Sequence, residues 1–275
     1  MRVDTPHRGG SGEPMLLVHG FTDTWRAWTP LLSALEEHHE VLVPTLPGHL
    51  GGDPMVPGQP IAIAAVADRL EELMDAAGMP RAHLVGSSLG GWLCLELAQR
   101  GRGLSVTGLC PAGGWEHPSR EERAVLRYFR RNAVLLRVGR SQLARVARRP
   151  RLRAFALREL VADAGGITAE AALQMFQGAR GCTVVGDVLR LARNGAGFFG
   201  DLGPIDCPVR IVYGTRDRII RWPGHYVRLR RMLPDAEFVA LPGLGHLPMW
   251  EDPGLVARTI LEISAAGRAV HHHSM

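Results

Sequence analysis

Short apolar runs alternate with amphipathic segments along most of this 275-residue chain. Runs such as MLLVHG (15–20) and AHLVGS (82–87) are typical of buried strands, whereas the segment 61–78 has its apolar residues at helical spacing. Strands that alternate with helices predict an α/β fold with a mostly parallel sheet, flanked by helices on both faces. Further strands are predicted at 41–46, 104–110, 208–214 and 236–242, and further helices at 25–37, 89–101, near 223–232 and within 253–266.

Residues 116–203 interrupt this alternation. They contain several short helical patterns and no convincing strand, and residues 120–193 carry 16 Arg against 6 Asp and Glu. We therefore expect a helical cap, or lid, inserted between two strands of the sheet. The predicted division is a core formed by 1–115 and 204–266, the cap at 116–203, and a His-rich tail at 267–275 that is either native or added in cloning.

Composition excludes several classes of protein. An apolar content of 46% is enough for a sizeable core, and no apolar run reaches the length of a membrane span. The N-terminus is polar and lacks the apolar middle of a signal peptide. The four cysteines are scattered, and we expect them to be reduced and mostly buried. These features favour a cytoplasmic protein, while the oligomeric state stays open.

The stretch GSSLGG (86–91) contains a Gly-x-Ser-x-Gly pattern whose fixed serine is Ser88. It follows a predicted strand and precedes a predicted helix, which is the setting of a nucleophile elbow. Gly86 and Gly90 leave room for the close approach of strand and helix at such a sharp turn. Ser88 is therefore the candidate nucleophile, and Ser87 occupies the variable position beside it.

A serine hydroxyl needs a neighbouring base, and that base needs a carboxylate to orient it. His246 comes after the last predicted strand, and Asp217 follows the strand before it. A tetrahedral intermediate also needs two N–H donors, which we assign to the backbone of Phe21 and Leu89. The order Ser88, Asp217, His246 along the chain is the Ser-acid-His order of one fold class.

Five motifs follow one another along the chain, namely LLVHGF (16–21), LPGH (46–49), GSSLGG (86–91), YGTRD (213–217) and GHLPMWEDP (245–253). In kind and order they resemble the motifs of the α/β-hydrolase superfamily. The resemblance implies an eight-stranded sheet with a helical lid inserted before the strand that carries the acid. It also implies a structural role for His19, and it makes Glu116 a rival acid, because some members place the acid after the preceding strand. The resemblance covers the predicted core and hardly extends to the segment 116–203.

The chain departs from the family pattern in two places. Thr45 stands where the family often has Asp, and Leu50 stands where Gly is common. The resemblance therefore does not predict the shape of this loop. Only about 14 residues precede MLLVHG, so we expect the first strand or two to be reduced or missing.

The resemblance and the site together predict a serine hydrolase that cleaves a small or medium carboxylic ester through an acyl-enzyme, without a cofactor. Lactone, thioester and C–C bond hydrolysis use the same triad, and a triad-retaining small-molecule receptor is the alternative outside catalysis. Epoxide and haloalkane hydrolysis are disfavoured, because those branches have Asp at the elbow and Ser88 stands there in this chain.

The remaining predictions concern the surroundings of the site. Trp115, Leu247 and Trp250 are candidate pocket residues, while Trp25, Trp28 and Trp92 fall on amphipathic helices and are expected in the core. His49 and His225 are expected on the surface or in loops, and no His, Cys or Asp cluster has the spacing of a metal site. The Arg-rich cap is either a solvated helix face or the place for an anionic substrate. A nucleic-acid partner is not expected, since no recognition motif accompanies the charge.

Overall fold

The computed structural model describes residues 3–55, 61–193 and 199–272, and the strands of this part of the chain form one sheet. The sheet has seven strands in the order β1-β3-β2-β4-β5-β6-β7. The strands are β1 (His7–Gly9), β2 (Glu13–Val18), β3 (His39–Val43), β4 (Ala82–Ser87), β5 (Gly103–Leu109), β6 (Val209–Gly214) and β7 (Glu237–Leu241).

All neighbouring strands are parallel except β1, which pairs antiparallel with β3. The described chain thus has seven strands where the family resemblance implied eight. The strand β1 has only three residues. The carboxyl ends of β4, β6 and β7 lie along the same edge of the sheet, because these strands run in the same direction.

Helices cover both faces of the sheet. In β2, Leu16 and Val18 pack on one face while Met15 and Leu17 pack on the other, since successive side chains of a strand point to opposite faces. The first face is covered by α2 (Ile63–Ala76), α3 (Leu89–Gln99) and α9 (Val227–Met232), and the second by α1 (Leu32–Glu36) and α10 (Pro253–His272).

The described residues between β5 and β6 form helices and no strand. Ser119 begins the first of these helices, because its hydroxyl accepts a hydrogen bond from the backbone N–H of Glu122. The five α-helices are α4 (Arg120–Val138), α5 (Leu143–Arg148), α6 (Pro150–Leu157), α7 (Ala169–Gly181) and α8 (Val185–Arg193). Residues 194–198, at the end of the predicted cap, lie outside the described residues.

Two predicted helices differ from the structure. The segment 25–37 forms a short 3-10 helix, Trp25–Trp28, followed by α1, and Pro30 lies between them. Proline lacks the backbone N–H that a continuous helix would need. At the other end, α10 continues to His272 and so includes much of the segment predicted as a tail, while residues 273–275 lie outside the described residues.

The four cysteines are free thiols, and Cys94, Cys110 and Cys182 are buried, as expected. No helix in the described ranges is both long and apolar enough to cross a bilayer.

Candidate active site

Ser88 lies in a sharp turn between β4 and α3, with φ +54° and ψ −115°. A non-glycine residue with positive φ carries backbone strain of order 1–3 kcal/mol, so surrounding contacts must hold it. Its backbone N–H donates to the carbonyl of Leu109 at 2.9 Å. Its own carbonyl accepts from the N–H groups of Gly91 at 3.0 Å and Ala112 at 2.9 Å. The turn is therefore held by the neighbouring strand and by the helix that follows it.

The glycines of GSSLGG allow this turn. A Cβ on Gly86 would lie 2.1 Å from the carbonyl oxygen of Gly90, and a Cβ on Gly90 would lie 2.0 Å from that of Val18. Ser87 is fully buried at the end of β4, and its hydroxyl has no partner among the described residues. Ser88 alone of the two serines lines the cavities described below.

Asp217 and His246 form a buried pair at the same edge of the sheet. His246 Nδ1 donates to Asp217 Oδ2 at 2.7 Å. The other carboxylate oxygen accepts from the backbone N–H groups of Ile219 at 2.7 Å and Ile220 at 2.9 Å. With Nδ1 as the donor, Nε2 is left as the acceptor nitrogen, which is the tautomer that a general base needs.

Glu116, the rival acid, lies elsewhere. Its carboxylate pairs with the guanidinium of Arg231 on the surface, and this hydrogen bond lowers the pKa of Glu116. The structure thus brings Asp217, and not Glu116, to His246.

Cys110 is a neighbour of this pair that the sequence did not single out. It follows β5 with φ +46°, and its Sγ lies 3.9 Å from the carbonyl of Gly245. The ligand atoms of Cys110, Asp217 and His246 lie within 4.8 Å of one another. Burial first, and the Asp217 carboxylate second, raise the pKa of this thiol well above its ordinary value. The thiol of Cys110 therefore lies directly beside the hydrogen-bonded pair of Asp217 and His246.

The residues predicted as oxyanion donors border Ser88. A Cβ on Gly20 would lie 3.2 Å from the Cβ of Ser88, and Phe21 follows Gly20 in the chain. Leu89 is the first residue of α3, and the first N–H groups of a helix have no partner within it. Both Phe21 and Leu89 line one cavity together with Ser88.

His19 is held in the interior as a structural group. Its Nε2 accepts from the backbone N–H of Leu46 at 2.9 Å, so Nδ1 is the donor to the carbonyl of Gly20 at 2.8 Å. Burial lowers the pKa of His19 to about 3, which keeps the ring neutral. These contacts join the loop after β2 to the loop after β3.

His49 and His225 were predicted on the surface or in loops. His49 does lie in the loop after β3, but it is buried, and His225 lies buried in a short 3-10 helix, Gly224–Tyr226. The ring of His49 packs edge-on against Phe21, and that of His225 against Trp115. Burial lowers the pKa of His49 to about 4 and also lowers that of His225. Aromatic partners distant in sequence cause this burial, and the local sequence carries no sign of them.

Two cavities meet at Ser88. The first, which we call the apolar cavity, has a volume of about 90 Å³. The second, the polar cavity, has a volume of about 340 Å³ and includes His246. Phe21, Ser88, Phe129 and Ile219 line both. Since Phe129 belongs to α4, the inserted helices complete the walls of the site.

The three predicted pocket residues lie in different places. Trp115 lines the apolar cavity and Leu247 lines the polar cavity. Trp250 lines neither of them and packs instead against the core on the α10 face of the sheet, so its assignment to the pocket is corrected. The side chain of Leu50, the departure from the family pattern, packs against Gly181 of α7 and connects its loop to the inserted helices.

Known proteins resemble the chain over most of its length. The sequence profile of the alpha/beta hydrolase family matches residues 15–259. The epoxide hydrolase EphH of Mycobacterium tuberculosis is 32% identical over 201 residues, which cover 72% of this chain and 92% of the relative. A putative carbamate hydrolase, RutD, of Shigella flexneri is 29% identical over 243 residues, covering 87% and 86% of the two chains.

A thermophilic esterase from Thermogutta terrifontis has the same fold, with a TM-score of 0.72, 24% identity and coverage of 96% of this chain and 93% of that one. The fold, the order of the motifs and the profile match agree. The chain belongs to the α/β-hydrolase family and is a hydrolase of that family.

Proposed function

We propose that this hydrolase cleaves a small or medium carboxylic ester through an acyl-enzyme on Ser88, without a cofactor. The observation that carries the proposal is the buried hydrogen bond of 2.7 Å between His246 and Asp217, in a site whose cavity is also lined by Ser88. The strained turn at Ser88 supports it, because such backbone strain is concentrated at functional sites.

In the first half of the reaction, Ser88 Oγ attacks the ester carbonyl carbon while His246 Nε2 accepts the hydroxyl proton. Asp217 stabilises the imidazolium that forms. The backbone N–H groups of Phe21 and Leu89 donate to the oxyanion of the tetrahedral intermediate. When this intermediate collapses, the bond to the alcohol oxygen breaks, and the alcohol leaves with the proton held by His246.

In the second half, water attacks the acyl-enzyme. His246 removes a proton from the water, whose oxygen bonds to the acyl carbon. The bond to Ser88 Oγ then breaks, and the serine regains its proton from His246. The acid is released, and every proton moves between the substrate, water and these two side chains.

We further propose that residues 116–203 act as a cap over the core formed by 1–115 and 204–266. Phe129 of α4 and Met175 of α7 line the polar cavity, which supports this division. An anionic substrate has weaker support, since Arg131 at this cavity is already paired with Glu159.

Epoxide hydrolysis is the main rival, because one relative, EphH, is named as an epoxide hydrolase. Opening an epoxide through an alkyl-ester intermediate requires a carboxylate nucleophile, and the elbow of this chain carries Ser88. Lactones, thioesters and β-diketone-like substrates remain compatible with the serine. A triad-retaining receptor would bind a ligand without turnover.

Turnover of p-nitrophenyl acetate and butyrate, with styrene oxide as the rival substrate, tests the proposal. We expect the wild-type protein to hydrolyse the esters, the Ser88→Ala variant to lose activity by at least about a thousandfold, and styrene oxide to be left intact. The Ser87→Ala variant is the matched control, because Ser87 lines neither cavity, and it should keep its activity. Epoxide opening without ester turnover, or equal losses in the two serine variants, would overturn the proposal.

A further inference from the structure

We propose that the two cavities divide the substrate between them. The apolar cavity takes a short apolar acyl group, and the polar cavity takes a larger alcohol that carries a hydrogen-bond acceptor. The inference rests on the proposed function, and it names the class of ester that this site fits.

The position of His246 decides which cavity holds the alcohol. The oxygen of the leaving alcohol must receive its proton from His246, so it has to lie beside that ring. His246 lines the polar cavity and is absent from the walls of the apolar cavity, whereas Leu89 lines only the apolar cavity. An ester carbonyl bears its acyl chain and its alcohol oxygen in different directions. An alcohol placed beside His246 therefore directs the acyl chain into the apolar cavity.

The apolar cavity limits the acyl group in size and polarity. Its volume of about 90 Å³ is smaller than the roughly 150 Å³ of a cavity that binds benzene. Its wall is formed largely by aliphatic and aromatic side chains, among them Leu93, Trp115 and Val125. Among the described residues of the wall the one carboxylate is Glu122, whose two oxygens lie 2.8 and 2.7 Å from His117 Nδ1 and accept its hydrogen bond. A short alkyl acyl group fits this space better than a benzoyl or octanoyl group.

The polar cavity offers more room, about 340 Å³, and Asn132 in its wall has a side-chain donor that lacks a partner among the described residues. The Nδ2 atom of Asn132 is buried and has no hydrogen-bond partner among the described residues. A buried donor without a partner is unfavourable, and a substrate acceptor placed here would satisfy it. Asp23 lies in the same wall, and burial raises the pKa of its carboxyl to about 6.

The rest of this wall is apolar and includes Leu143, Val146 and Met175. The alcohol that matches it has a carbon skeleton with at least one carbonyl or similar acceptor positioned for Asn132. An alkyl alcohol without such a group would fill the cavity but leave the amide donor unsatisfied.

Two series of esters test the division, with the released acid titrated at constant pH. In the first series, benzyl alcohol is esterified with acetic, butyric, octanoic and benzoic acids. We expect kcat/KM to fall at least tenfold from the butyrate to both the octanoate and the benzoate. In the second series, benzyl acetate is compared with 4-carbamoylbenzyl acetate, and we expect the carbamoyl ester to be preferred about fivefold or more.

Variants assign each preference to its cavity. Val125→Ala enlarges the apolar cavity and should raise the octanoate-to-butyrate ratio of kcat/KM, while Trp115→Ala should raise it further. Neither variant should change the ratio between the two acetates. Asn132→Leu should reduce the preference for the carbamoyl ester by about fivefold, through KM and not kcat. The Val125 variant keeps the test available if the Trp115 variant does not fold.

The division of the substrate and the proposed function fail in different ways. If no ester is hydrolysed and Ser88 is not acylated, the proposed function itself is wrong. If esters are hydrolysed but octanoate and benzoate match or exceed butyrate, or the Asn132 variant keeps the carbamoyl preference, only the division between the cavities is overturned.

Discussion

Replacing Asp217 with Asn changes one contact of this side chain and preserves the others. In the wild-type protein one carboxylate oxygen accepts from the N–H groups of Ile219 and Ile220, and the other accepts from His246 Nδ1. The amide oxygen of Asn can keep the first two hydrogen bonds. Its NH₂ group then faces His246, which favours the tautomer with the proton on Nε2. The ring in that form cannot accept the proton of Ser88.

The size of the effect follows from this loss of the base. A triad in which the acid becomes an amide loses about 10⁴ in kcat, which corresponds to about 5 kcal/mol of transition-state stabilisation. Folding should change by no more than about 1–2 kcal/mol, because only one hydrogen bond to the side chain is altered. We therefore expect kcat of the Asp217→Asn variant to fall by about three to four orders of magnitude, with KM nearly unchanged.

Steady-state kinetics on a p-nitrophenyl ester measure kcat and KM, and urea unfolding measures the free energy of unfolding. Glu116→Gln is the matched control, because it makes the same chemical change at the surface residue that rivals Asp217 as the acid. It should keep kcat within about threefold of the wild type, as a surface ion pair contributes little. A Glu116 variant as impaired as the Asp217 variant, or an Asp217 variant with kcat within tenfold of the wild type, would refute the assignment.

Two further substitutions, His49→Gln and Gly90→Ala, test the packing around the site, and Gly186→Ala is the control for the second. The folded protein holds the pKa of His49 at about 4 against an ordinary value of 6.5, so unfolding free energy should fall as pH drops from 6.5 towards 4. His49 contributes up to about 1.4 kcal/mol of this change per pH unit. Urea unfolding at several pH values should therefore show a smaller loss of unfolding free energy for His49→Gln than for the wild type. The same pH dependence in both proteins would contradict the burial of a neutral ring. Gly90→Ala should lose about 3 kcal/mol of unfolding free energy, because its Cβ would lie 2.0 Å from the carbonyl oxygen of Val18. Gly186→Ala in α8 meets open space and should gain up to about 1 kcal/mol, so similar effects at the two glycines would contradict the close packing of the turn.

Much of the fold can be predicted from local patterns in the sequence. The predicted strand at 82–87 coincides with β4, and the predicted helix at 89–101 contains the whole of α3. Alternation of strands and helices predicts the parallel sheet, since parallel strands need crossover connections. Helical spacing alone does not place the ends of a helix, as the break at Pro30 and the long α10 show.

The candidate site, too, can be predicted only in part from the sequence. Asp217 and His246 follow successive strands, so their meeting at one edge of the sheet can be predicted from their order. Cys110 also directly follows a strand that neighbours β4, and this position is a signal that could have indicated it. Asn132 and the burial of His49 depend on how the inserted helices pack on the core. Such contacts join residues far apart in the chain, and no local pattern records them.

A covalent acyl group on Ser88 is the central claim, and mass spectrometry of the enzyme quenched during turnover tests it most directly. The wild-type protein, mixed with excess p-nitrophenyl butyrate and quenched in acid within the first turnover, should gain the mass of one butyryl group. Peptide mapping should place that group on Ser88, and the Ser88→Ala variant should gain none. Ester turnover with no added mass, or with the acyl group on another residue, would contradict the account.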